Sequence, residues 1–184
     1  VLRQTFGIAP GYPEFIVLDS TLPETIKAVT DSIEPARTLF LVSSKSGSTA
    51  EPLILFRYFW GLVEKVAAKG TAGDNFVAIT DAGTPLATLA EEKQFRHIFA
   101  NPADVGGRYS VLSYFGLVPG VLIGLDVSLL LQRAGRMGKG CGPGLSRLDN
   151  HCSWLGACIG TMALKGRDKL TLITSPSVRS FGLW

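Results

Sequence analysis

The sequence has no closely spaced cysteine pair, no block of lysine and arginine, no Gly-Lys-Ser/Thr phosphate-loop ending and no uninterrupted apolar segment of membrane length. Each absence removes a class of function. The three cysteines, Cys141, Cys152 and Cys158, lie near His151 but lack the C-x-x-C spacing usual in structural zinc sites. Cys152 and Cys158 stand six apart on an expected helix and point in different directions, so the thiols are read as reduced and structural, with no metal and no cofactor. A net charge of +3, with no basic run interleaved with aromatics, leaves no nucleic-acid footprint. From Val111 to Leu131 almost every residue is apolar or small, but Pro119 and the glycines at 116, 120 and 124 interrupt the run. Asp126 would be costly at membrane depth, so the stretch reads as two helices, one from Tyr114 to Ile123 and one opening at Asp126. The first residues lack the apolar segment of a signal peptide, and no membrane partner is expected. A cytoplasmic protein fits these readings. The chain opens without Met and is read as a piece of a longer protein.

What is present is an alternation of strand and helix patterns. Hydrophobic residues make up 46% of the chain, ample for a core. Strands are expected at Glu14–Asp19, Arg37–Val42, Asn75–Thr80 and Phe95–Phe99, and another at Lys169–Thr174. Helices are expected from Pro23 to Thr30, after Thr49 and ending at Lys69-Gly70, from Thr84-Pro85 to about Lys93, and from Trp154 to Leu164. The implied fold class is α/β: a doubly wound, mostly parallel sheet flanked by helices, with ligands outside the carboxyl ends of the strands. His97 reads as a hydrogen-bonded histidine at a sheet edge. Residues 135–150 carry glycines that follow no strand and do not fit G-x-G-x-x-G, and are read as a linker.

Ser43-Ser44-Lys45-Ser46-Gly47-Ser48-Thr49-Ala50-Glu51 places hydroxyls and a glycine where a strand becomes a helix. Thr49 occupies the cap position and Pro52 the first turn, where a missing N–H costs little. Unpaired amides, a positive dipole end and hydroxyls suit an anion, and the ligand read from this turn is a phosphate. A second run, Asp104-Val105-Gly106-Gly107-Arg108-Tyr109-Ser110-Val111-Leu112-Ser113, sets two glycines before an arginine. The glycines permit close backbone approach or positive φ, and the arginine projects a fork of donors beside them.

The S-x-S-G-x-T-x-E pattern resembles the signature of sugar isomerase (SIS) domains. V-G-G-R-Y-S-V-L-S, with Gly116-Leu117-Val118-Pro119 downstream, resembles the motif of the glucose-6-phosphate isomerase family, over roughly residues 14 to 184. The form S-K-S-G-S-T-A-E looks closest to the isomerase part of bacterial transaldolase/glucose-6-phosphate isomerase fusions. The resemblance implies interconversion of an aldose phosphate and a ketose phosphate through an enediol, without cofactor. By motif, Ser44, Lys45, Ser46 and Thr49 would hold the phosphate of a hexose with the backbone N–H groups around Lys45, whose side chain either joins them or points outward while its amide faces the ligand. Arg108 would stabilise the enediolate, and Gly107 would let the backbone approach the substrate. Glu51 either orients a ring-opening histidine, as the family glutamate does, or is simply a favourable acid in the first turn of a helix.

It also implies an SIS-like subdomain over residues 1–134, the linker, and at 151–184 a helix and strand opening a second, truncated subdomain. The first family strand, the Gly-rich loop, the catalytic glutamate, the histidine and the terminal lysine have no counterpart here. The piece alone is therefore expected to be inactive, with the full-length protein a homodimer. An unpaired sheet edge would add to that tendency. The alternatives are a non-catalytic SIS module that senses a phosphosugar, and an isomerase of another sugar phosphate. V-G-G-R-Y-S favours the isomerase.

Overall fold

The structure, a computed structural model, describes residues 1–146 and 148–183, without the side chains of 181–183. Among the described residues are seven α-helices and three strands. In chain order they are α1 (Leu2–Phe6), α2 (Pro23–Ser32), β1 (Phe40–Ser43), α3 (Ala50–Val63), β2 (Phe76–Asp81), α4 (Pro85–Glu92), β3 (His97–Asn101), α5 (Tyr114–Leu122), α6 (Val127–Lys139) and α7 (His151–Leu164). The chain divides into two compact units, Pro13–Leu122 and Val1–Tyr12 with Ile123–Trp184.

The first unit, Pro13–Leu122, is built on a parallel sheet in the order β1-β2-β3. Phe40 pairs with Phe76 and Ser43 with Ile79; Val77 pairs with His97 and Asp81 with Asn101. All three strands therefore point their carboxyl ends the same way. Every residue of β2 is buried, as both faces of a central parallel strand require. Alternate residues face opposite sides. Phe76 and Ala78 join a core with Phe56, Phe59 and Val63 of α3 and Leu86 and Ala90 of α4, while α5 lies against β2 and β3. The Phe76 ring centre stands 5.0 Å from that of Phe40, 5.5 Å from Phe56 and 5.4 Å from Phe95. These large apolar rings anchor the strand whose end enters the candidate site.

Three segments depart from expectation. The segment expected as a strand at 14–19 forms no strand: Val17 is exposed, and only Leu18 packs against the core. A β-branched run needs a partner edge to become a strand, and none lies beside it. The helix after Thr49 ends at Val63 rather than Lys69, because the Val63 carbonyl accepts from both Val66 and Ala67 and the chain tightens into turns. His97 opens an edge strand, as expected, but its ring packs edge-on at 4.4 Å from Phe99, and no side-chain hydrogen bond is present among the described residues.

In the second unit, the Asp126 side chain accepts from the Leu129 amide at 2.9 Å and caps α6, as the sequence suggests. The helix runs through Gly135 and Gly138 to Lys139, into the stretch read as a linker. Asn150 caps α7 through the Ser153 amide and donates to the Gly142 carbonyl at 3.0 Å. The strand expected at 169–174 does not form: Leu170, Leu172 and Ile173 are exposed and meet no partner edge among the described residues. No helix of the described residues is long and apolar enough to cross a membrane.

Cys141 and Cys152 are neighbours in this unit. The nearby Cys141 thiol pushes the Cys152 thiol above its ordinary pKa, with desolvation adding to it. A raised pKa means less thiolate at a given pH. Exposed Cys152 is therefore expected to alkylate with iodoacetamide at pH 8 more slowly than an unhindered thiol, and Cys141→Ala is expected to speed it, as read by peptide mass spectrometry.

Candidate functional site

The site begins where β1 ends. The Ser44 amide donates to the Ile79 carbonyl at 3.0 Å, and the Asp81 amide donates to the Lys45 carbonyl at 3.2 Å, so the turn is laced to the end of β2. Gly47 then takes a φ of 67°. A Cβ there would stand 2.6 Å from Thr84 Cβ and 2.8 Å from the Leu86 nitrogen, so glycine is required twice over, for conformation and for space. Thr84 itself caps α4 through the Ala87 amide, as the sequence suggests, and shares a 2.7 Å hydrogen bond with Thr80.

Beyond Gly47 the hydroxyls converge. Buried Ser44 Oγ donates to Thr49 Oγ1 at 3.0 Å, Ser46 Oγ lies 3.4 Å from the same atom, and Ser48 Oγ donates to Ser46 Oγ at 3.2 Å. Thr49 stands at the N-cap position of α3, yet its side chain caps no helix amide because it faces this hydroxyl cluster. The amides of the first turn have no helical carbonyl to bond, and Pro52 contributes none. Ser44, Ser46 and Thr49 are thus brought together beside unpaired donors, an arrangement able to bind an anion through hydroxyls and backbone at once. Glu51 is exposed in the first turn of α3, whose acidic residue it supplies.

Lys45 departs from its neighbours. Its ammonium is turned onto Asp81 Oδ2 at 2.5 Å and the Ala103 carbonyl at 3.2 Å, leaving its amide as the group nearest the hydroxyls in sequence. Asp81 is buried, and one of its carboxylate oxygens, Oδ1, has no hydrogen-bond partner. Buried Asn101, at the end of β3, donates to the Thr80 carbonyl at 3.5 Å and accepts from the Tyr114 amide at 2.9 Å, pinning the start of α5. Sequence reasoning passed over Asp81 and Asn101. Their signal was position: each is a polar residue at or just past the carboxyl end of an expected strand.

Between Asn101 and Tyr114 runs the Gly-Gly-Arg segment. Gly107–Leu112 forms a 3-10 helix, closed by Tyr109 N–H to Gly106 at 2.9 Å and Ser110 Oγ to Gly107 at 2.6 Å. Neither Gly106 nor Gly107 takes a positive φ, so that reason for glycine does not hold here. A Cβ on Gly107 would meet open space, so nothing in the protein itself requires glycine there. Arg108 is exposed and takes part in no ion pair among the described residues. The Lys45–Ala103 bond ties the serine turn to this segment. No group of three or more potential metal-ligating side chains occurs among the described residues.

Comparison with known proteins decides what this arrangement belongs to. The family model of phosphoglucose isomerase matches residues 13–141. The chain belongs to the phosphoglucose isomerase family. The family match takes in both candidate segments and the whole of the Pro13–Leu122 unit. The glucose-6-phosphate isomerase of Staphylococcus haemolyticus is 32% identical over 188 residues, covering all of this chain and 42% of its own length. That of Clostridium novyi is 41% identical over 114 residues, covering 61% of this chain and 24% of its own. The chain thus spans well under half the length of these relatives. Among solved structures, the hypothetical protein TT0462 from Thermus thermophilus superposes on 78% of the chain and 34% of its own, with a TM-score of 0.72 and 29% identity. A glucose-6-phosphate isomerase from Chlamydia trachomatis, at 24% identity and a TM-score of 0.62, shares the fold over 77% of the chain and 26% of its own.

Proposed function

We propose that the full-length protein carrying this chain interconverts glucose 6-phosphate and fructose 6-phosphate through an enediol, and that this chain supplies the phosphate site and the enediolate stabiliser. The observation that carries the reading is the bonding of the serine turn to Ala103, at the start of the connection that carries Gly107 and Arg108, at the carboxyl ends of a parallel sheet in a phosphoglucose isomerase family member. In this reading Ser44, Ser46 and Thr49 bind the phosphate with the backbone amides around Lys45. Because the phosphate is remote from carbons 1 and 2, its binding energy serves to hold those carbons in place. A base removes a proton from one of the two carbons, the electron pair enters the enediolate, and the proton returns to the other carbon while the hydroxyl proton passes from one oxygen to the other. Carbon 1 and carbon 2 exchange oxidation levels with no external redox partner. Arg108 offsets the charge that develops on the enediolate oxygens, and open space beside Gly107 lets the backbone approach.

Glu51 then orients a ring-opening histidine that, like the base, is supplied from outside this chain. The same reading has the protein working as a cytoplasmic homodimer, and places a transaldolase upstream if the likeness of S-K-S-G-S-T-A-E to the fusions holds. Steady-state conversion of fructose 6-phosphate by the full-length protein, with this chain alone beside it, tests the reading. The expected result is turnover by the full-length protein and none by the isolated chain. Binding of fructose 6-phosphate without turnover by the full-length protein would favour the phosphosugar-sensing module instead.

A further inference from the structure

Lys45 is a cation in the middle of an anion-binding turn, and direct contact with phosphate is what its charge suggests. Its side chain does something else. The ammonium meets Asp81 Oδ2 at 2.5 Å and the Ala103 carbonyl at 3.2 Å. The side chain of Asp81 is 9% exposed, and its second oxygen has no partner, so this carboxylate depends on Lys45 for its compensation. Residues 45 and 81 are also joined through the main chain, Asp81 N–H to the Lys45 carbonyl at 3.2 Å, with Thr80 Oγ1 donating to that carbonyl at 3.4 Å. The third partner, Ala103, lies two residues past the end of β3 in the connection to Gly107 and Arg108. One ammonium therefore links the turn after β1, the end of β2 and the segment after β3.

We propose that Lys45 and Asp81 are a positioning pair: they set the spacing between the phosphate turn and the Gly107–Arg108 segment, and the Lys45 charge is not spent on the phosphate. This rests on the isomerase reading, and it predicts a separation of effects. Inorganic phosphate needs only the turn, whereas the sugar phosphate must engage the turn and the arginine segment together. Displacing one from the other by an ångström costs about a hundredfold in an oriented reaction.

The test is a double-mutant cycle in the full-length protein, with Lys45→Met, Asp81→Asn and the pair, and Lys45→Arg as the conservative variant. For each, kcat and KM for fructose 6-phosphate are measured with the inhibition constant of inorganic phosphate. The pair predicts that both single variants lower kcat by about ten- to a hundredfold, that the double is no worse than the worse single, and that Lys45→Arg recovers part of the loss. The inhibition constant of phosphate should move by less than about threefold, since the Lys45 charge is already offset by Asp81 and phosphate engages only the hydroxyls and amides of the turn. A Lys45→Met variant that weakens phosphate inhibition by about tenfold or more, or single effects that multiply in the double, would overturn the pair. Should Asp81→Asn fail to fold, Lys45→Met against Lys45→Arg decides by the same split. If the wild type does not isomerise, the isomerase reading has failed by itself. The pair is then judged by calorimetry, which should show fructose 6-phosphate weakened equally and non-additively in both singles while inorganic phosphate is unchanged.

Discussion

Arg108→Ala in the full-length protein is expected to lower kcat for isomerisation of fructose 6-phosphate by about a hundredfold or more, with KM much less affected. The size follows from where the charge is needed. In the ground state the reacting carbons carry no charge, so Arg108 contributes little to substrate binding; in the enediolate a full negative charge develops over two oxygens. The Arg108 guanidinium, exposed on the Gly107–Leu112 turn and in no ion pair among the described residues, has its donors available for that charge. Arg108→Lys keeps the charge but loses the planar fork, so it should fall between wild type and the alanine variant. Steady-state kinetics separate the possibilities. A raised KM with unchanged kcat would mean that Arg108 binds the phosphate instead.

Gly47→Ala is expected to abolish the phosphate site as a formed structure. The residue takes a φ of 67°, which costs an L-residue about 1–2 kcal/mol. Its Cβ would also lie 2.6 Å from Thr84 Cβ and 2.7 Å from Thr84 Oγ1, and Thr84 is held by its cap on α4 and its bond to Thr80. Overpacking of this kind adds about 1–3 kcal/mol. Because Gly47 separates Ser44 and Ser46 from Thr49, relief of the clash must part the hydroxyls. Inhibition by inorganic phosphate should weaken by about tenfold or more, and urea unfolding should show a loss of about 2–5 kcal/mol. Gly83 is the control. It takes a φ of 72° with nothing within 4 Å of a built Cβ, so Gly83→Ala should cost only the conformational part and leave phosphate inhibition intact.

The parallel sheet was legible because β1, β2 and β3 lie in apolar runs, the first two followed shortly by the helix starts Thr49-Ala50 and Thr84-Pro85. Thr84 and Asp126 cap as their sequence positions imply. The runs at 14–19 and 169–174 carry the same residue types but meet no free edge, and pairing is a property of the neighbour as much as of the segment. Ser44, Ser46 and Thr49 were legible as a group because a strand-to-helix turn brings residues this close in sequence close in space. Lys45 was legible only as part of the turn: Asp81 lies 36 residues away, and no local pattern announces that partner. Asn101 is similar, since its two bonds reach β2 and α5 across the sheet. Gly106 and Gly107 show the reverse case, where a glycine pair suggested special φ values and the structure uses ordinary ones.

Proton transfer between carbons 1 and 2 of a phosphorylated hexose is tested most directly by running the full-length protein on fructose 6-phosphate in deuterium oxide and following the sugar by NMR. A proton held on an enzyme base exchanges with solvent before it returns, so the account predicts glucose 6-phosphate carrying deuterium at carbon 2. Fructose 6-phosphate that binds, with its resonances broadened, yet neither converts nor gains deuterium would contradict it.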